Sequence, residues 1–94
     1  MPRFVIEREI PEIGASDQPA LCGASTHSNS VIAAMQAESK QIQWEHSYVA
    51  GNKTFCVYQA ADESLIHEHA ERSGFPASKV TQVVTVIDPL MAEG

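Results

Sequence analysis

Hydrophobic and polar residues alternate in four short segments of the chain, which is typical of β-strands with one buried face. These segments are Arg3–Ile10, Gln43–Val49, Lys53–Gln59 and Val80–Ile87. In the first, Phe4, Ile6 and Ile10 share one side of the strand. The pair Gly51-Asn52 separates the second segment from the third and favours a tight turn, so we expect these two strands to form an antiparallel hairpin.

Two further segments predict α-helices. Asp17 is a suitable N-cap for a helix that extends to about Lys40. Asp62 is a suitable N-cap for a second helix over Glu63–Ser73, and Gly74 suits the position just after its end. The first half of the first helix is rich in Gly, Ser, Thr and Asn, which lower helix propensity, so we expect it to fray or bend.

The order strand, helix, strand, strand, helix, strand predicts a ferredoxin-like βαββαβ fold of the α+β class. Right-handed crossovers place both helices on one face of a four-stranded antiparallel sheet. A chain of 94 residues is enough for a single domain, which we expect to span residues 1–94 with a loose tail at residues 89–94.

The other face of this sheet has no helix to cover it. The alternation along the strands assigns to it a set of large side chains, namely Trp44, Tyr48, Tyr58, Val84 and Val86. An apolar surface of this size is unfavourable in water, and a small domain gains core by pairing with a second copy. We therefore expect a homodimer in which two sheets pack face to face.

Charge and composition restrict the partners. Six Lys and Arg residues stand against twelve Asp and Glu, and the cations are scattered, so nucleic acids and anionic membranes are not expected partners. No segment approaches the ~20 apolar residues that span a bilayer. The N-terminal segment alternates in polarity, unlike a signal peptide. We expect a cytoplasmic protein with Cys22 and Cys56 as free thiols.

Candidate chemistry centres on His46 in the second strand. The alternation pattern predicts that Cys56 and Tyr58 of the third strand lie beside it, and Glu7 of the first strand adds a carboxylate. Imidazole, carboxylate and thiolate are ligands that Ni²⁺ and Zn²⁺ accept. The alternative is a polar patch in the dimer interface whose groups satisfy one another by hydrogen bonds.

His69 in the second helix is another candidate. It falls on the apolar side with Leu65 and Ile66, where a histidine is either a ligand or a core residue. The segment HEHAE lacks the second histidine of a zinc-protease motif, and no phosphate loop or nucleophile motif is present, so these motifs favour a binding protein over an enzyme and leave both open. The alternative is a dimeric α+β barrel enzyme or small-molecule-binding domain with His46 or His69 as general base.

Three segments together carry a resemblance: MPRFVIERE, QWEHSYVAGNKTFCVYQA and LIHEHAERSGFPASKVTQVVTVIDP. They resemble a family of small bacterial domains of largely unassigned function, one member of which is described as a nickel-binding protein. The resemblance covers nearly the whole chain except the first helix, where CGASTHSNSVIAAM departs from the family in residue type. It implies a ferredoxin-like dimer with bound nickel. The residues that match the recurring pattern are Glu7, Trp44, His46, Tyr48, Cys56, Tyr58, His69, Gly74 and Pro76.

Together these observations favour a homodimer that binds nickel or another divalent transition metal, for storage, buffering or sensing. His46 is the first candidate ligand, followed by Glu7 and His69. Metal binding should weaken below about pH 6, because protons compete with the ion for the imidazole nitrogen.

Overall fold

The elements of the chain follow the predicted order strand, helix, strand, strand, helix, strand. A computed structural model describes residues 1–93. Its main elements are β1 (Arg3–Glu9), α1 (Gln18–Ala37), β2 (Ile42–Ala50), β3 (Lys53–Ala60), α2 (Glu63–Ser73) and β4 (Lys79–Gln82). Short 3₁₀ helices cover Ile13–Ala15 and Pro89–Glu93. No helix among these residues is long and apolar enough to cross a bilayer.

The four strands form one antiparallel sheet in the order β2-β3-β1-β4. In its centre Ile6 lies opposite both Cys56 and Val80. Both helices pack on one face of this sheet, where the core lies, and none of the described elements covers the other face. The ferredoxin-like α+β fold predicted from the sequence is confirmed.

The helix ends form as the capping residues predict. The Asp17 carboxylate accepts a hydrogen bond from the Ala20 amide at 3.0 Å, which fixes the start of α1. Gly74 follows α2 in the left-handed conformation, with φ of 80°, and its amide donates to the Ala70 carbonyl at 3.0 Å. The expected fraying of α1 is not seen, because helical structure continues from Gln18 through its polar first half.

The predicted common face of β2 and β3 is wrong, because β2 contains a β-bulge between Trp44 and His46. One extra residue in a strand moves every later side chain to the opposite face. Trp44 therefore lies opposite Tyr58 on the helix-covered face, while His46 lies opposite Val57 on the open face. Cys56 is also buried on the helix-covered side, away from His46.

The last strand is shorter than the predicted Val80–Ile87. β4 ends at Gln82, and the Val83 amide makes one further bond to the Arg3 carbonyl at 2.8 Å, where β1 begins. Beyond that point no neighbouring strand is available, and Val84 is 98% exposed. The predicted loose tail contains the 3₁₀ helix Pro89–Glu93, and its last residue, 94, lies outside the described residues.

The segment after β1 folds back against the β2–β3 turn. The Gly14 amide donates to the Gly51 carbonyl at 2.8 Å, and the Ile10 amide donates to the Asn52 carbonyl at 2.9 Å. The approach is so close that a Cβ atom on Gly14 would lie 2.6 Å from the Gly51 oxygen. These contacts hold Ile13 at one end of the space between α1 and the sheet.

Candidate functional site

The open face of the sheet carries the first candidate ligand, His46. Its imidazole is exposed and contacts Tyr48 edge to face, with ring centroids 5.1 Å apart. Tyr48 itself is 62% exposed. The strand positions opposite these two residues carry Val57 and Phe55, which are half-buried. His46 therefore lies among apolar side chains on a surface that nothing in the described chain covers.

Glu7 is on the same face but does not meet His46. In the sheet it lies opposite Phe55, and the whole width of β3 separates β1 from β2. The Glu7 carboxylate instead lies 3.6 Å from the ammonium group of Lys53. Within residues 1–93, no group of three or more His, Cys, Asp or Glu side chains comes together closely enough to hold a metal ion.

His69 lies on the helix-covered side, so it cannot share an ion with His46 on the open face. It is 1% exposed, and its Nε2 lies 3.2 Å from the Ser28 hydroxyl, which lies 3.4 Å from the Tyr58 hydroxyl. Burial, together with the smaller effect of the nearby Arg8 guanidinium, lowers the pKa of His69 to about 4. The imidazole is therefore neutral at pH 7, and its buried Nδ1 has no hydrogen-bond partner.

Arg8 is the charged group at the centre of this polar cluster, and sequence reasoning missed it. It is 2% exposed, and its Nη1 donates to the carbonyls of Phe75 and Pro76 at 3.2 and 2.9 Å. Its Cζ lies 5.9 Å from the ring centroids of both Tyr58 and Phe75. The sequence feature that could have predicted its burial is its position two residues after Ile6, on the buried side of β1.

A cavity of about 390 Å³ lies beside Arg8, between the first half of α1 and the sheet. The helix positions that line it carry the small side chains of Ala24, Ser25 and Ser28, which leave space between α1 and the sheet. Its walls are mainly apolar and include Ile10, Ile13, Leu21, Trp44, Val49, Phe75 and Pro76. The first half of α1, whose residues have low helix propensity, therefore covers the cavity.

The polar groups around the cavity suit binding better than proton transfer. Burial raises the pKa of Tyr58, so its phenol stays protonated at neutral pH and can donate a hydrogen bond. His69 does not line the cavity, and a base with a pKa of about 4 is weak at neutral pH.

Both cysteines are free, as predicted, and the buried Cys56 thiol lies 3.5 Å from the Thr54 hydroxyl.

The architecture makes this chain one of the ferredoxin-like α+β proteins. It is similar to the crystal structure of SCO4226 from Streptomyces coelicolor A3(2), with a TM-score of 0.71 and 16% sequence identity, over 90% of this chain and 99% of that chain. The family described as "Nickel responsive protein SCO4226-like" matches residues 4–83. The chain belongs to this family, whose model covers both helices and all four strands. No curated protein matches the sequence.

Proposed function

We propose that the protein binds a divalent transition metal, with Ni²⁺ as the first candidate, as a homodimer that stores, buffers or senses the ion. The observation that carries the proposal is membership of a family described as nickel responsive, over residues 4–83. His46 and Glu7 are the proposed ligands, and the two open sheet faces form the proposed interface.

A second copy of the chain would complete the site. Ni²⁺ needs several ligands, whereas one chain offers a single exposed imidazole on the open face and no group of three candidate ligands among its described residues. In a two-fold symmetric dimer each face meets its own copy, so two His46 side chains and two Glu7 side chains enter one interface. This arrangement brings four candidate ligands into the interface, where His46 of one copy can meet Glu7 of the other although β3 separates the two residues within a chain.

Exposed apolar side chains support this interface. Tyr48 on the open face is 62% exposed, and Val84, Val86, Ile87, Leu90 and Met91, which follow β4, are also open to solvent. A single soluble chain rarely leaves such a set uncovered. Pairing two copies through the open face would remove Tyr48, Phe55 and Val57 from water.

The Glu7 carboxylate can exchange its contact with Lys53 for a contact with a divalent metal ion. Its contact with Lys53 measures 3.6 Å, whereas the ion pair between Lys40 and Glu68 measures 2.6 Å. Long, partly exposed pairs of this kind contribute little to stability, about 0–1 kcal/mol. A divalent ion would replace Lys53 at small cost.

Metal uptake by single-histidine variants tests the proposal. Untagged apoprotein is titrated calorimetrically with NiCl₂, and the bound metal is measured by elemental analysis after dialysis. We expect stoichiometric uptake by the wild type and its loss in His46→Ala. The matched control is His67→Ala, which removes an exposed histidine from α2, far from the open face. Equal uptake by His46→Ala and wild type, or no uptake by either, would contradict the assignment.

A further inference from the structure

Among the described residues, the helix-covered side of the sheet holds a buried cation and no buried anion. Arg8 is 2% exposed, and none of the ion pairs among the described side chains involves it. Its Nη2 is withdrawn from solvent and has no hydrogen-bond partner. Burying an unpaired charge is costly, so a guanidinium in this state is a site where an anion would be strongly favoured.

The contacts that Arg8 does make explain its position and leave its charge uncompensated. Nη1 donates to the carbonyls of Phe75 and Pro76, which fastens β1 to the loop before β4. The rings of Tyr58 and Phe75 each lie 5.9 Å from Cζ, which holds the guanidinium plane in place. These contacts use Nη1, so the N–H donors of Nη2 remain without an acceptor among the described residues.

The space for such a ligand is the adjoining cavity. Arg8 lines it together with Tyr58 and Ser28, whose hydroxyls lie 3.4 Å apart, so that one of the two can donate a hydrogen bond to an anion. The remaining walls are mostly apolar, with Trp44 and Phe75 as the largest side chains. Its volume of about 390 Å³ lies in the range of small-molecule sites, ~300–1,000 Å³.

We propose that this cavity binds a small molecule with an apolar body and a carboxylate group, and that Arg8 holds the carboxylate. A guanidinium presents parallel N–H donors that match a carboxylate, and a charge-assisted pair of this kind is strong in a dry site. The ligand's apolar body packs against Trp44 and the side chains below α1. The inference is independent of the metal proposal, because His46 and Glu7 lie on the opposite face of the sheet.

Trp44 reports on the cavity directly, because it is the single tryptophan of the chain and lines the proposed site. The probes are 4-phenylbutyrate and its neutral counterpart 4-phenylbutanol, each titrated at pH 7 with tryptophan fluorescence as the readout. We expect saturable binding of the carboxylate and binding at least ~10-fold weaker for the alcohol, which lacks the charge. The chain carries a net charge of −6, so adsorption of an anion to its surface is disfavoured.

Two variants separate the cavity from the cation. Ala24→Leu fills the cavity from α1 without touching Arg8 and should abolish the fluorescence response to 4-phenylbutyrate. The matched control is Ala33→Leu on the exposed side of the same helix, which should bind as the wild type does. Arg8→Met should bind 4-phenylbutyrate and 4-phenylbutanol with about equal affinity. If this variant does not fold, the two probes measured on the wild type and on Ala24→Leu test the inference.

Three results would overturn the inference. The first is no saturable response of the wild type to 4-phenylbutyrate. The second is equal affinity for acid and alcohol, which would leave Arg8 as a structural link between β1 and the loop at Phe75 and Pro76. The third is unchanged binding by Ala24→Leu, which would move the site away from the cavity. Ni²⁺ uptake is measured on the same samples, so failure here and failure of the metal site are seen separately.

Discussion

Trp44 and His46 lie on opposite faces of the sheet although they are only two residues apart in β2. The bulge between them leaves Trp44 stacked over Tyr58, with ring centroids 6.4 Å apart and an interplanar angle of 22°. His46 contacts Tyr48 on the other face. The bulge residue Glu45 accepts a hydrogen bond from Arg3 Nε at 2.6 Å, across the width of β3. Because of the bulge, the Trp44 ring lines the cavity and the His46 imidazole lies on the open face.

Two substitutions in β2 should therefore have different effects. Tyr48→Lys places a charge in the proposed interface and should convert dimers to monomers, as measured by sedimentation velocity. Trp44→Lys should instead lower the free energy of unfolding by about 3 kcal/mol or more, because it removes a large side chain packed against the core. An unchanged dimer mass in Tyr48→Lys would contradict the proposed interface. A monomeric but fully stable Trp44→Lys would place Trp44 in the interface, as the sequence alternation predicts.

Some features of this fold are encoded by neighbouring residues in the sequence, and others depend on pairing between strands. The bounds of α2 were predicted because Asp62 and Gly74 cap it by local hydrogen bonds. The bulge in β2 has no such marker: simple alternation places Trp44 and His46 together, and only pairing with β3 reveals the extra residue. β4 is shorter than its β-branched sequence suggests because its neighbour β1 begins at Arg3.

Candidate site residues were predictable only one at a time. His46 and Glu7 were identified by residue type, and both lie on the open face. That they are separated by β3 follows from the strand order and register, which are long-range properties. The cavity escaped prediction because it results from small side chains in α1 facing a sheet several ångströms away, which no local pattern reports.

Acid should destabilise the protein through His69. The pKa of this buried imidazole is about 4 in the folded state, against an unperturbed value of ~6.5, so the unfolded chain binds the proton first. The stabilisation is present above pH 6.5 and is lost as the pH falls towards 4. Between pH 7 and pH 5 this one group should cost about 2 kcal/mol of unfolding free energy. Urea denaturation at both pH values measures the loss.

His69→Gln should remove most of this dependence on pH, whereas His67→Gln should keep it, because His67 is exposed on α2. The window stops at pH 5 so that carboxylates whose pKa values are lowered by basic neighbours, such as Glu38 beside Arg72 and Lys40, stay ionised. An equally steep loss in His69→Gln would assign the acid sensitivity to other groups.

Two glycines that look alike in the sequence should respond oppositely to alanine. In Gly14→Ala the new Cβ would lie 2.6 Å from the backbone oxygen of Gly51, so the 3₁₀ segment must move and stability should fall by about 1–3 kcal/mol. In Gly23→Ala nothing lies within 4 Å of the new Cβ, and a helix interior gains about 0.5–1 kcal/mol. Chemical denaturation measures the change in unfolding free energy of both variants. An unchanged stability of Gly14→Ala would contradict a close contact between the 3₁₀ segment and the β2–β3 turn.

A metal ion shared by two copies of the chain should be visible in the mass of the protein in solution. If the ion binds only where two open faces meet, Ni²⁺ must favour the dimer by mass action. Sedimentation equilibrium of dilute apoprotein should give a mass that rises towards twice 10.2 kDa when NiCl₂ is added, and His46→Ala should not respond. Binding of Ni²⁺ by a species that stays at the mass of one chain would contradict a metal site shared between two copies.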